Sequence, residues 1–247
     1  MRIGISIEGG REAEAAAAET HGLFGALVSG VAGAECNAGA YAASVTTYVR
    51  IVVRLQMGGE NPVTLAEEIA VLDNITNGRV VVVADVSGLD AEAAAEDVGL
   101  LRRALTPTPL RHEGQRWTVP AGLPEHRATD SVIVTPPPAQ IEVPVWAIGA
   151  SSAACGVPVV RRALREPTTA GLVQPGLVEL SGELAQDRET VLAWASAGVT
   201  HLFVQGARLD DVSRFLQPEV GMVQFPRIVA NAAQPMPWKD LKRASEA

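Results

Sequence analysis

The chain has 247 residues, 47% of them apolar, which suits one sizeable core and the ordinary size of a single barrel domain. A formal charge of −8 leaves no basic stripe for a phosphate backbone, so a nucleic-acid partner is not expected. No segment approaches the roughly 20 uninterrupted apolar residues of a membrane span, and the opening MRIGISIEGG is too short an apolar run for a signal peptide. A soluble, cytoplasmic protein is therefore expected. Cys36 and Cys155 lie far apart without CxxC spacing or a nearby His pair, so they read as reduced, buried thiols, with neither a disulfide framework nor a metal site.

Short β-rich apolar runs alternate with helical stretches, the pattern of a parallel sheet with crossover helices. Arg2–Ile7 is the first strand, and the Ala-rich stretch after Glu12 is a helix closed by His21 before Gly22. The strands Gly25–Gly30 and Val49–Gln56 follow. Asn61-Pro62 then opens the best-marked helix, Asn as cap and Pro in the first turn. Leu65, Ile69 and Leu72 form its apolar face, Glu67, Glu68 and Asp73 take the opposite one, and Asn77-Gly78 supplies a left-handed stop. The fourth strand, Arg79–Asp85, is apolar on both faces and must be walled on both. Asp90 enters the next helix directly.

Residues 106–143 are a Pro-rich excursion over a barrel end, with a hairpin-like patch at His112-Glu-Gly-Gln-Arg-Trp117. Strands at Pro144–Gly149, Val157–Val160, Gly171–Leu180 and His201–Gln205 complete a set of eight, with a helix over Arg188–Ala197 before the last. Residues 226–247 read as a loose tail. The expected fold class is α/β, a shortened (β/α)8 TIM-type barrel in one domain, 1–247.

Four stretches, in register, carry a resemblance. Asn61-Pro-Val-Thr-Leu-Ala-Glu-Glu-Ile-Ala-Val-Leu-Asp73 with Asn77-Gly-Arg79 is one; Leu101-Arg-Arg-Ala-Leu-Thr106 with His112–Trp117 is the second. Pro144-Val-Trp-Ala-Ile-Gly-Ala-Ser-Ser152 and Ala197-Gly-Val-Thr-His-Leu202 are the others. Together they resemble the bacterial luciferase-like flavin- and deazaflavin-dependent oxidoreductases. The chain is shorter than most of that family: the loop after Gly88 is missing, and the helix between strands five and six is reduced to Ala-Ala-Cys-Gly.

The ligand site of a (β/α)8 barrel lies at the C-terminal ends of its strands. The resemblance implies that the turn Gly149, Ala150, Ser151 and Ser152 holds a flavin phosphate through backbone N–H groups and hydroxyls; the plain alternative is an ordinary tight turn. It also implies a strained, often cis, peptide beneath the flavin ring at Arg54-Leu55-Gln56, with Arg54 itself read as a rim or outward side chain whose stem packs on a helix. Asp85 and Ser87 end strand four, Ser87 standing where the family often has a phosphate-gripping Arg before Gly88. After strand two the family's catalytic His is absent, and Glu35, the titratable group nearby, reads as a solvated loop carboxylate. His112 and His126 are the histidines able to fold back over the mouth. No catalytic residue is assignable, and no GxSxG, HExxH, Walker or full dinucleotide motif competes.

Two functions follow from the resemblance. The first is an FMN- or F420-dependent oxidoreductase or monooxygenase acting on a small organic molecule. The second is a non-catalytic barrel subunit, or flavin-binding protein, that partners an active homologue. Pairing as a homodimer, or as a heterodimer with a homologous barrel, is expected through the Ala- and Leu-rich Asn61–Ile75 helix.

Overall fold

The computed structural model describes residues 1–30, 33–122, 129–166, 171–205 and Val212. The expected tail, 226–247, and His126 lie outside these residues. Elements run β1 (Arg2–Glu8), α1 (Glu14–Thr20), β2 (Gly25–Ser29), α2 (Glu35–Ser44), β3 (Arg50–Gln56), α3 (Pro62–Ile75), β4 (Val80–Asp85) and α4 (Ala91–Ala104). A two-strand hairpin, β5 (His112–Glu113) and β6 (Thr118–Val119), precedes β7 (Val145–Ile148), the 3-10 turn Ser152–Cys155, β8 (Pro175–Glu179), α5 (Leu184–Ser196) and β9 (His201–Gln205). Seven of these strands form one parallel sheet in the order β7-β4-β3-β2-β1-β9-β8.

The helix boundaries follow from local chemistry. Asn61 accepts the Val63 amide at 2.9 Å with Pro62 behind it, and Asp90 caps α4 by accepting the Ala93 amide at 2.8 Å. Asn77 and Gly78 take left-handed backbone after α3, with φ of 54° and 76°.

Side chains alternate across each strand, and two cores result. Ile3, Ile5, Ile7, Val28, Val53, Leu55, Val80 and Val82 belong to the larger core, which also includes Leu65, Ile69 and Leu101 from α3 and α4. Leu27, Val52, Val81, Val83, Trp146, Ile148, Val160, Leu177 and Phe203 meet on the other face. Every residue of β4 is buried, as its unbroken apolar run requires. The sheet is strongly curled. Strands β7 and β9 are five steps apart in it, which would be about 24 Å in a flat sheet, yet the Trp146 and Phe203 ring centroids lie 6.1 Å apart. Segment 158–161 joins the two edges. Val160 N donates to Ala147 O at 2.8 Å on the β7 side, and Leu177 N to Arg161 O at 2.9 Å on the β8 side.

One expectation is corrected here, and another in part. Asp73 is not on the solvent face of α3: it is fully buried, accepting the Gln140 amide and side chain, each at 2.8 Å, and the Val80 amide. The excursion is split: its hairpin lies along α4, and the part around Gln140 reaches a barrel end, where Gln140 bonds Arg50 and the Val80 carbonyl at the starts of β3 and β4. The hairpin is pinned to α4 by two carboxylates: Glu96 accepts the amides of Gln115, Arg116 and Trp117, and the buried Asp97 binds the Arg116 guanidinium and the Trp117 indole. Both cysteines are free and buried; burial, with Glu68 beside it, pushes the Cys36 thiol up to about 12.

At the N-terminal end of the inner face, His201 packs edge-on against Phe24, with centroids 4.8 Å apart, and lies 5.5 Å from Trp146. Burial, with Arg2 and the N-terminal amine nearby, pulls this imidazole down to about 4. The folded chain thus holds His201 neutral where the unfolded chain takes up a proton, so stability is lost as pH falls from about 6.5 toward 4. Lowering the pH from 7 to 5 should remove about 2 kcal/mol through this group. His201→Gln should flatten that part of the profile, measured by urea midpoints at the two pH values.

Candidate functional site

All strands of the sheet are parallel, so their C-terminal ends lie on one side, and the inner-face residues there form a rim. Alternation assigns Glu8, Ser29, Arg54, Gln56, Asp85, Ile148, Glu179 and Gln205 to it. Beneath the rim sits the apolar plug of Leu27, Val52, Val83, Trp146 and Phe203. A polar ring over a dry floor gives any ligand a few fixed polar contacts above a low-dielectric base.

The most ordered polar group on the rim is centred on Asp85, which is 5% exposed. One carboxylate oxygen, Oδ1, accepts the Ser87 hydroxyl at 2.6 Å and the Ser87 amide at 3.0 Å. The other, Oδ2, accepts Arg54 Nε at 2.9 Å and Nη2 at 2.5 Å. Burial alone would raise this carboxyl, but the Ser87 hydroxyl and amide, and then Arg54, outweigh it and hold Asp85 below the ordinary carboxylate range. Of the two alternatives read for Arg54, the rim holds and the outward one does not: it stands opposite Ser29 and Val83 on the inner face, between the outward-facing Val53 and Leu55, and its head is paired at the rim.

Gly149 and Ser87, far apart in sequence, meet at the corner between β4 and β7. Gly149 has φ of 118°, and a Cβ there would lie 2.7 Å from the Ser87 amide nitrogen and 2.8 Å from its hydroxyl. The next turn is tied down: the Ser151 hydroxyl donates to Leu89 O at 2.6 Å, and Ser152 is buried at the start of the 3-10 turn. Ala150 is exposed. The structure therefore brings Ser87 and Gly149–Ser152 together, while the hydroxyl protons of Ser87 and Ser151 go to protein acceptors.

The end of β3 differs from what the resemblance implies. Among the described residues the cis bonds are Val119-Pro120 and Thr135-Pro136, so the Arg54–Gln56 stretch is trans. The Leu55 side chain is 1% exposed and lies in the core on the outer face, so only its backbone can face a rim ligand. Gln56 is exposed and donates from its amide group to Asp85 O at 3.4 Å. Glu35 is not a solvated loop carboxylate: it is the first residue of α2, buried, and accepts the Gln56 amide at 3.4 Å. His112 is held on α4 by Glu96 at 3.0 Å, away from the rim.

Sequence reasoning missed two features. One is the pairing of Arg54 with Asp85, whose only signal was an Arg inside an otherwise apolar strand. The other is a cavity of about 460 Å³ beside the rim, lined by Gly9, Gly10, Ser29, Gly30, Asn37 and Tyr41 among others. Its wall is made largely of residues with little or no side chain. That was visible as Gly9-Gly10 and Ser29-Gly30, two glycine-bearing strand ends that the fold places side by side.

No family model matches this chain, and no curated protein matches it in sequence. Solved structures do. Monooxygenase RslO1 from Streptomyces bottropensis superposes with a TM-score of 0.58 at 15% identity, over 88% of this chain and 97% of that one. The likeness is one of fold. Coenzyme F420-dependent tetrahydromethanopterin reductase from Methanopyrus kandleri superposes with a TM-score of 0.51 at 16% identity, over 83% of this chain and 65% of the reductase. Riboflavin lyase (RcaE), solved with modified FMN and riboflavin, gives 0.50 at 13% identity, over 82% of this chain and 61% of the lyase. The chain spans less than two thirds of the length of these last two.

The rim corner makes a direct stability test. Gly149→Ala forces a side chain into left-handed backbone against Ser87 and should cost about 2 kcal/mol or more, roughly 4–8 °C in Tm. Gly88→Ala, where nothing lies within 4 Å of the new Cβ, should stay within about 0.5 kcal/mol. Thermal melts of the two variants, side by side, check the asymmetry.

Proposed function

We propose that the chain is a flavin- or deazaflavin-dependent oxidoreductase of the luciferase-like type, built as a shortened (β/α)8 barrel in which segment 158–161 serves as the stave between β7 and β8. The carrying observation is the rim corner where Asp85, Ser87 and Gly149 converge, on a fold shared with a monooxygenase, an F420-dependent reductase and a lyase solved with modified FMN. The residues present fit such a cofactor. The Gly149–Ser152 turn, whose Ser152 N–H is already bonded to Gly149 O, would hold its phosphate end, Gln56 and the Leu55 backbone would border its ring end, and Asp85 holds Ser87 and Arg54 in place between them. When bound, FMN or F420 supplies the redox chemistry, and the chain orients it and limits water from below through the apolar plug. The neighbouring cavity takes the small organic substrate, with Glu12, Ser29, Asn37 and Tyr41 as its polar lining.

A second reading is a non-catalytic barrel that retains cofactor or partners an active homologue. It is favoured by one observation: among the described residues the inner rim carries no histidine. Titrating the protein into FMN, riboflavin and F420 separately, and following the fluorescence of each, tests the cofactor. Saturable quenching by at least one supports the proposal; no binding of FMN or deazaflavin at millimolar concentration overturns it.

We also infer self-association, or pairing with a homologous barrel, through the expected Asn61–Ile75 helix, but by its exposed Val71 and Ile75 rather than by its Ala- and Leu-rich face. Leu65, Ala66, Ile69, Ala70 and Leu72 of α3 are buried within the chain. Val71 and Ile75, with Val45 at the end of the neighbouring α2, are exposed, Ile75 by 56%. Val71→Glu combined with Ile75→Glu should convert a sedimenting dimer to monomer. A wild-type particle that is strictly monomeric at tens of micromolar, with no homologous partner, removes this part of the proposal.

A further inference from the structure

We propose that Arg54 is the anion anchor of the rim: the Nη1–Nη2 edge of its guanidinium takes two oxygens of a phosphate monoester or carboxylate on the ligand, with Asp85 as its positioning residue. The inference rests on the reading of this rim as the ligand end of the sheet, and it supplies the cation that strand four lacks before Gly88.

The geometry of the pair carries the argument. A guanidinium has five N–H donors, and Asp85 engages two of them, one on Nε and one on Nη2, through the single oxygen Oδ2. The second oxygen is occupied by Ser87. Asp85 thus grips the Nε side of the fork and leaves the opposite edge, Nη1 with the second Nη2 proton, without a partner among the described residues. That edge presents two parallel donors, the arrangement that matches an oxyanion bidentately. It is also reachable, because the Arg54 side chain is 31% exposed while Asp85 beneath it is 7% exposed.

The energetics point the same way. An ion pair set into an apolar strand is weak evidence for stability, since packed apolar residues of similar volume serve as well. A pair that fixes the Arg head and leaves its outer donors free is the arrangement expected of a binding group. Ser87 shares Asp85 with Arg54, so the charge is delivered to the corner where Ser87 abuts Gly149. Two other carboxylates end on this face, Glu8 and Glu179, and both are exposed. Glu8 stands in the same register row as Arg54 but two strands away, a separation of about 9–10 Å that salt screens in water.

The test uses the intact chain. Sodium phosphate and sodium acetate are titrated against the Arg54 Nε–H signal in nitrogen-15 spectra, identified by its loss in Arg54→Lys. FMN and riboflavin are titrated in parallel by fluorescence against wild type, Arg54→Gln and Arg54→Lys. Saturable movement of the Arg54 signal by either anion at millimolar concentration is expected. If the cofactor supplies the anion, FMN binds wild type about tenfold or more tighter than riboflavin, and Arg54→Gln brings the ratio close to one while Arg54→Lys keeps part of it. If instead phosphate or acetate moves the signal and wild type binds FMN and riboflavin equally, the anchor holds a substrate oxyanion. Movement of the signal without binding of FMN, riboflavin or F420 keeps the anchor and overturns the cofactor reading. No movement with either anion at tens of millimolar overturns the anchor, whatever FMN does.

Discussion

The inner face of the sheet is closed by one aromatic ring standing where a side chain is missing. Phe203 of β9 lies over Gly4 of β1 so closely that a Cβ on Gly4 would come within 2.5 Å of Cε1 of the ring and 2.7 Å of the Gly25 carbonyl. From that position the ring reaches Trp146, across from β7, and Phe24 at the entrance to β2. Strands far apart in the sheet order are thereby drawn around one centre, and the curl that makes a rim possible follows. Any larger residue at position 4 opposes this packing from both sides, ring and backbone.

The order of polarity along the inner face then sets what each end can do. At the N-terminal end, Arg2, Arg50 and His201 are engaged with backbone and aromatic partners and serve the fold. In the middle the plug is dry. At the C-terminal end the side chains turn polar at the last inward position of every strand but β7, which ends on Ile148, and the best-held of them, Arg54 and Asp85, are fixed by each other and by Ser87. Rigidity at this end comes from a buried carboxylate with four donors, so polar contacts offered to a ligand are set in advance of binding.

Most of the backbone plan was legible in the chain, because both-faced apolar runs such as Val80–Val83 and cap pairs such as Asn61-Pro62 and Asn77-Gly78 encode their structure within a few residues. Even the expected strand Val157–Val160 has its counterpart in segment 158–161, which takes its place between β7 and β8, though as isolated bridges. What could not be read locally were commitments made across the fold. Asp73 looks like a helix-surface acid until Gln140 arrives from the excursion, and Glu35 looks solvated until the end of β3 covers it. The same holds at the site. Ser87 and Ser151 carry the hydroxyls a phosphate turn would use, but Asp85 and the Leu89 carbonyl claim them, while Arg54, set aside as a rim residue, turns out to hold the uncommitted donors.

The joint around segment 158–161 gives this molecule a direction in which to open. Elsewhere the sheet is sewn by continuous ladders, whereas here each side is held by a pair of backbone bonds: Ala147 N to Pro158 O and Val160 N to Ala147 O, then Arg161 N to Pro175 O and Leu177 N to Arg161 O. Only a short 3-10 turn, in place of a full helix, links β7 to it. Breathing motions should therefore begin at this seam, with the amide protons of Val160 and Leu177 exchanging with solvent long before those of β3 and β4. Because Gly149 sits at the end of β7 on the lip of that seam, occupancy of the rim corner and the rate of unzipping beside it are physically linked.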